Sequence, residues 1–596
     1  MQSFTTRPEL IGSFGMVTST HWLASAAGMA TLEKGGNAFD AAAAAGFVLQ
    51  IVEPHLNGPG GEVPIILQAA GDERVRVICG QGVAPAGLTI DHILSLGLEA
   101  VPGTGLLPAV VPGAFGAWML MLRDHGQLPL ADVLEYAIGY AENGFPALPR
   151  MCASILAAEE FFRTEWPSSA EAWLKNSRTP VPNARFVSPQ IAATYRRILR
   201  EAQSAGSDRV RQIERARACF YEGFVAEAVD RFFRTEPVMD TSGRPHRGVL
   251  AGDDLAVWQA TYEDPVSYDY AGYRVHKTGP WGQGPVFLQQ LALLKGFDLA
   301  AMDPVGPDFV HTVVECAKLA FADREIFYGD PNFTEVPLET LLSDAYADER
   351  RCLVDPRCAS RELRPGELDG REERLQFVLA NAGRGGEGGV GSGEPTFAVL
   401  PEMRGDTVHL DVVDRWGNMV SATPSGGWLQ ASPTIPELGF CITTRGQMFW
   451  LDPALPSSLA PGKRPRTTLT PTLVTRDGKA IMAFGTPGGD QQDQWSVQLF
   501  LRHVHHGMNL QAAIDAPMFQ TSHFPSSFYP RAMRPAHLAL EGRFGAESIA
   551  DLQRRGHDVE IRGDWDLGRL CAVRAKDGLL RAAATPRLMQ AYAVGR

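Results

Sequence analysis

Little in this chain would serve nucleic acid, zinc or a bilayer. There is no basic block, and 55 Lys and Arg face 68 Asp and Glu, a formal net charge of −13. An acidic chain without basic stripes is repelled by phosphate backbones, so no nucleic-acid partner is expected. The eight cysteines (Cys79, Cys152, Cys219, Cys316, Cys352, Cys358, Cys441 and Cys571) never fall in a CxxC spacing. That argues against zinc, and their apolar neighbours read as reduced, buried thiols. The longest apolar run, Ala41 to Val52, is too short to span a bilayer and contains Gln50, so no membrane partner is expected. Met1 to Pro8 shows no basic segment leading into an apolar core, so a cytoplasmic protein without a secretory signal is expected. No internal repeat is visible.

What is present is ordinary globular chemistry: 45% apolar and 21% charged residues over 596 positions. Length alone predicts about three or four domains. A single large layered enzyme, or one chain processed into two pieces, fits as well. Leu23 to Leu32 reads as a helix ended by Gly35-Gly36. Asn37 reads as the cap of a second helix running to Val52. Residues 150–235 read as mostly helical, and Asp308 to Phe327 has apolar residues at helical spacing. After the helix Arg371 to Ala382 comes a low-complexity link, 383–394, too rich in glycine to bury a core. Beyond it the chain reads as strands. Val408, Leu410 and Val412 share one face, residues 414–418 form a turn, and Met419 to Thr423 returns. Thr470 to Val474 and Ala480 to Phe484 form a second such pair. Strands here and helices elsewhere predict a layered α/β or α+β protein.

Two segments carry chemistry. The first begins at Asp406-Thr407-Val408-His409-Leu410-Asp411. A cut before Thr407 would free an α-amine beside its hydroxyl, so one residue would supply both general base and nucleophile. Read by itself, Thr407 also simply opens a strand. The second is Phe484-Gly485-Thr486-Pro487-Gly488-Gly489-Asp490, between a strand and a helix. Helix N-terminal N–H groups beside glycines are suited to an oxyanion hole. The plain alternative is a strand–turn–helix link with Asp490 as N-cap. His503, His505 and His506 lack carboxylate companions and read as favourable charges at a helix C-terminus rather than a metal site. Lys463-Arg464-Pro465-Arg466 reads either as an exposed loop or as an anchor for an anionic substrate or a lid.

Together with their neighbours these segments resemble the γ-glutamyltranspeptidase family of N-terminal nucleophile (Ntn) hydrolases. The matching blocks run along nearly the whole chain. They include Lys34-Gly35-Gly36-Asn37-Ala38-Phe39-Asp40, Val52-Glu53-Pro54-His55, Gly58-Pro59-Gly60-Gly61, Val111-Pro112-Gly113, Lys318 to Arg324, Gly329-Asp330-Pro331, Pro461 to Pro465 and Thr486 to Gly489. The resemblance implies an α+β, four-layer αββα sandwich and a proenzyme that cleaves itself between Asp406 and Thr407. The products would be a large fragment, 1–406, and a small one, 407–596, that stay associated; a homo-oligomer is allowed. It implies Thr407 as nucleophile, Thr423 as its hydrogen-bond partner, and Gly488 and Gly489 as oxyanion donors. Thr467, Thr468, Ser425 and Arg445 would face the substrate, with no cofactor and no metal.

The departures bear on substrate. Ile90 stands where the family has the arginine that grips the γ-glutamyl α-carboxylate, a loss of about 1.5–3 kcal/mol of recognition. Gly427 replaces an asparagine. Thr443 to Met448 replaces the residues that hold the α-amine, and Arg445 there would repel an ammonium. The main expectation is an acyl-enzyme that works on γ-glutamyl amides such as glutathione, or on a related small-molecule amide, by hydrolysis or transfer. The alternatives are an acylase or amidohydrolase with a non-glutamyl substrate, and a biosynthetic C–C-cleaving homologue. A non-catalytic binding protein on the same fold is the reading from another class.

Overall fold

The computed structural model describes residues 4–235, 237–382 and 407–596. The glycine-rich link and Asp406 lie outside the described residues. Two seven-stranded antiparallel sheets lie face to face with helices on both outer sides, a four-layer α+β sandwich as the resemblance implies. The first sheet runs in the order Tyr592–Gly595, Gly15–Ser19, Leu410–Asp414, Met419–Ala422, Val63–Gln68, Arg76–Gly80, Thr261–Glu263. The second runs Leu10–Gly12, Leu579–Ala584, Cys571–Lys576, Lys479–Gly485, Thr472–Arg476, Tyr273–Lys277, Val266–Tyr270. Both interleave strands from before and after residue 407.

The outer helix Ala38–Val52 shows why the sequence folds this way. The Asn37 side chain accepts from the N–H groups of Phe39 and Asp40, and Asp40 accepts in return from Asn37 N at 3.0 Å, a capping box. Every residue of this helix is buried, because the first sheet lies on one side and further helices on the other. Val408, Leu410 and Val412 point into that helical layer. Val413 points the other way, toward Trp281, Leu473, Ala483 and Val573 between the sheets. Alternation along this strand therefore aims Thr407, His409 and Asp411 at the inter-sheet space. A third core lies between the second sheet and helices Gly284–Leu294, Pro307–Phe327 and Gln492–His506.

Several expectations are corrected here. Cys352 and Cys358 are exposed; the other six cysteines are buried and all eight are free. Asp490 does not cap a helix: its carboxylate accepts from Arg324 and from Ser527. His503, His505 and His506 stand in the last turn of the helix Gln492–His506, as expected, and burial lowers all three below the usual imidazole range. Lys463, Arg464 and Arg466 form no exposed loop; all three are buried. Arg464 binds Asp330 at 2.6 Å and Arg466 binds Glu325 at 2.7 Å. Burial works against both carboxylates, yet these arginines hold Asp330 and Glu325 below the ordinary range. No helix among the described residues is long and apolar enough to cross a membrane.

Candidate active site

The hairpin around residues 414–418 sets the register. Val413 faces Met419 and Leu410 faces Ala422, and the pairing continues to a bridge between Thr407 and Ser425. Val408 N donates to Pro424 O at 3.0 Å. The hydroxyl beside Thr407 is that of Ser425, 3.2 Å away. Thr423, two residues back, meets His409 Nδ1 at 3.0 Å instead. His409 Nε2 meets Asp411 Oδ1 at 3.0 Å, and Asp411 also accepts from Ser421 at 2.7 Å. A fully buried polar ladder thus runs from Thr407 inward between the sheets. The resemblance gave His409 and Asp411 no role. Their signal was their position, two and four residues past Thr407 on the same face.

Ser425 is tied outward as well. Its backbone N donates to Glu62 O at 3.0 Å, and Glu62 N donates back to Ser425 O at 2.8 Å. Arg445 opens the short 3-10 turn Arg445–Met448 and donates to Ser425 Oγ at 2.9 Å. Its Nε lies 2.6 Å from Glu62 Oε1, and both side chains are fully buried. The guanidinium lies over Trp428 at 5.0 Å and Phe528 at 5.7 Å. The expectation that Arg445 repels an ammonium is revised, because the Glu62 carboxylate balances its charge. Ile90 opens the helix Ile90–Ser95 and packs against the apolar cluster of Ala84, Leu88 and Ile93.

The glycine turn approaches from the second sheet. A Cβ on Gly485 would lie 2.4 Å from the His409 ring, so this turn sits against the ladder. Gly488 and Gly489 have φ of +132° and +55°, and a Cβ on Gly488 would meet the Trp495 ring at 2.3 Å. They lead into the 3-10 turn Gly489–Gln491 and the helix Gln492–His506, whose first N–H groups lack intrahelical acceptors. The unusual run after the glycines anchors this turn. Asp490 binds Arg324 and Ser527, while Asp493 lies 3.0 Å from Lys277 Nζ and accepts from Thr470 at 3.0 Å. Thr467 is fixed by its backbone, with its N–H on Trp281 O and its carbonyl on Gln283 N, both 2.9 Å. The buried Thr468 Oγ1 has no partner among the described residues. A cleft of about 310 Å³ opens beside Gln447, Phe449, Trp450, Tyr529 and Arg531.

One group outside this site has metal-ligand geometry. The ligand atoms of His311, Glu315 and His557 lie within 4.8 Å of one another. The Lys318 ammonium sits 2.6 Å from Glu315, and His311 Nδ1 pairs with His557 Nε2 at 2.9 Å. A resident ammonium and a histidine pair make this a hydrogen-bonded helix contact rather than a cation site.

A threonine at the head of a central strand, faced by a glycine turn inside a four-layer sandwich, defines an amide-processing enzyme of the Ntn-hydrolase class. The chain belongs to the γ-glutamyltranspeptidase family, whose model matches residues 24–595. It is similar over 100% of both chains to the solved structure of LmbA2991HD, at 54% identity and a TM-score of 0.92. It is similar to the cephalosporin acylase from Bacillus halodurans at 29% identity, over 99% of this chain and 97% of that one, with a TM-score of 0.81. It is 31% identical to the glutathione hydrolase-like YwrD proenzyme of Bacillus subtilis (strain 168), over 97% of this chain and 98% of the relative.

Proposed function

We propose that this chain is a self-processing threonine amidohydrolase or acylase whose acyl group is not γ-glutamyl. The observation that carries this reading is the closed Arg445–Glu62 pair against Ser425. It stands where the family's α-amine residues are expected, while the α-carboxylate arginine is Ile90. A γ-glutamyl group would then find neither of its two charged clamps. The likeness to a cephalosporin acylase favours the same direction.

In maturation, Thr407 Oγ1 attacks the Asp406 carbonyl. The C–N bond breaks, an ester forms, and the Thr407 nitrogen takes the hydroxyl proton. Water then hydrolyses the ester, leaving an Asp406 carboxylate and a free Thr407 α-amine. The fragments 1–406 and 407–596 remain joined through the interleaved sheets. In turnover the α-amine, with an ordinary pKa of about 7.7–8.0, takes the hydroxyl proton as Thr407 attacks the substrate amide. Gly488 and Gly489 N–H groups receive the oxyanion. The proton passes to the leaving amine as the C–N bond breaks, and water resolves the acyl ester. Ser425 holds the nucleophile's rotamer, and Thr467 and Thr468 face the substrate's polar groups.

The test is intact-mass analysis of the purified chain and of Thr407→Ala, followed by an anilide panel with γ-glutamyl and other acyl groups. Cleavage before Thr407 only in the parent, with another acyl anilide preferred, is expected. Preference for the γ-glutamyl anilide would overturn the specificity reading, and an uncut parent would overturn the maturation reading.

A further inference from the structure

The cleft of about 310 Å³ takes no part in the chemistry above, and its wall holds an arginine. Segments distant in sequence build it. They are residues 97–102, the 3-10 turn Arg445–Met448 with the residues that follow it to Leu451, and the loop Tyr529-Pro530-Arg531, with the helix Arg371–Asn381 at one side. The loop is fastened to the turn. Tyr529 N donates to Gln447 Oε1 at 3.3 Å, and Arg531 Nη2 donates to Gln447 O at 3.1 Å and to Phe449 O at 2.7 Å. Arg445, two residues before Gln447, reaches the other way, to Ser425 Oγ. The turn therefore stands between this cleft and the hydroxyl beside the nucleophile.

Arg531 is 5% exposed, and its Nη1 has no hydrogen-bond partner among the described residues. The two Nη2 bonds and the stacking of the guanidinium over Trp450, 4.0 Å from the ring centroid, fix its plane. The acids that act on it are Glu325 and Asp490, and both are committed elsewhere. Glu325 pairs with Arg466 at 2.7 Å and with Arg324 at 3.3 Å, and Asp490 pairs with Arg324. Among the described residues, three guanidiniums thus share two carboxylates, and the arginine without an ion pair is the one that lines the cleft. Burial lowers Arg531 to about 10, so it is still charged at neutral pH. A buried cationic N–H with no acceptor is costly unless a ligand supplies one.

The rest of the cleft suits a ring. Phe377 meets Trp450 edge-on at 5.8 Å, and Phe449, Tyr529 and Leu98 add apolar surface. Exposed Glu99 and Arg244 also line it, and their charges offset each other, so Arg531 sets the sign of the site. The volume lies at the small end of the usual range for ligand pockets, about 300–1,000 Å³, which fits a single ring with a short acid group.

We propose that this cleft binds a small aromatic carboxylate, with its ring among Phe377, Phe449 and Tyr529 and its carboxylate accepting from Arg531 Nη1. The site is additional to the amide site at Thr407, and it does not rest on which acyl group that site prefers.

The test titrates the purified full chain with benzoate and with neutral benzamide by calorimetry. Benzoate is expected to bind and benzamide not to. Arg531→Gln should weaken benzoate by about tenfold or more, the loss of one charge-assisted hydrogen bond, and Arg531→Lys should keep part of the binding. Ala100→Trp fills the cleft from its rim without touching Arg531 and should abolish binding, which keeps the test decisive if Arg531→Gln does not fold. Near-ultraviolet circular dichroism reports whether each variant has folded. Benzoate binding that persists in Thr407→Ala supports a site apart from the nucleophile. Absence of saturable benzoate binding, equal binding of the two probes, or benzoate binding unchanged in Ala100→Trp overturns the proposal.

Discussion

Removing the Glu62 carboxylate tests the arrangement around Thr407 most directly. In Glu62→Gln the fully buried Arg445 guanidinium loses the carboxylate at 2.6 Å that balances it. Breaking one side of a buried ion pair costs about 3–5 kcal/mol, because the remaining charge stays out of water. Arg445→Met should cost a similar amount for the mirror reason. It also takes away the donor at 2.9 Å from Ser425 Oγ. The double variant, Glu62→Gln with Arg445→Met, removes both charges and keeps the volume. It should recover most of the loss, so the two single costs should not add. Urea unfolding in a Thr407→Ala background, followed by tryptophan fluorescence, measures stability without interference from cleavage. In the Thr407 background, self-cleavage should slow by about 10–150-fold in Arg445→Met, equivalent to about 1.5–3 kcal/mol at a hydrogen bond to a charged group. Additive stability losses, or a Glu62→Gln protein as stable as the parent, would refute the reasoning.

Four further outcomes follow from the geometry. Gly485→Ala should destabilise the chain and abolish turnover, since the new methyl would lie 2.4 Å from the His409 ring; unchanged kcat would refute this contact. Thr407→Ser should still cleave itself and Thr407→Ala should not, as read by the masses of the products. Glu53 makes stability pH-dependent: its folded pKa of about 7 lies above the unfolded value of 4.5, so the native state binds the proton more tightly. Stability is then fullest below about pH 4.5 and falls as pH rises through 7, by a few kcal/mol at most; Glu53→Gln should flatten that slope in urea titrations. His409→Gln should lower kcat while leaving KM close to the parent value, because it breaks the contacts to Thr423 and Asp411, each 3.0 Å; an unchanged kcat would contradict a role for these contacts.

Local signals carried much of this fold. Asn37 and Asp40 announce their capping box, and the alternation from Thr407 to Val413 announces a strand. Contacts distant in sequence were hidden. Arg464 and Arg466 look like a loop until Asp330 and Glu325, more than a hundred residues earlier, close on them. Asp490 reads as a cap because Arg324 and Ser527 cannot be seen beside it. Thr423 was expected beside Thr407 from the resemblance alone; its hydroxyl meets His409, and the hydroxyl beside Thr407 is that of Ser425, which the hairpin register places opposite it. The charge of Arg445 was legible, but its neutralisation by Glu62 was not.

Chain ends are ordinarily the loosest part of a protein. The strand headed by Thr407 is different, because Gly15–Ser19 holds it on one side and Met419–Ala422 on the other. A terminus created there by scission would begin life already stitched into the middle of a sheet. Its amine would have almost no freedom to wander from its hydroxyl, and the entropy of placing a catalytic base would have been met during folding, before any bond was cut.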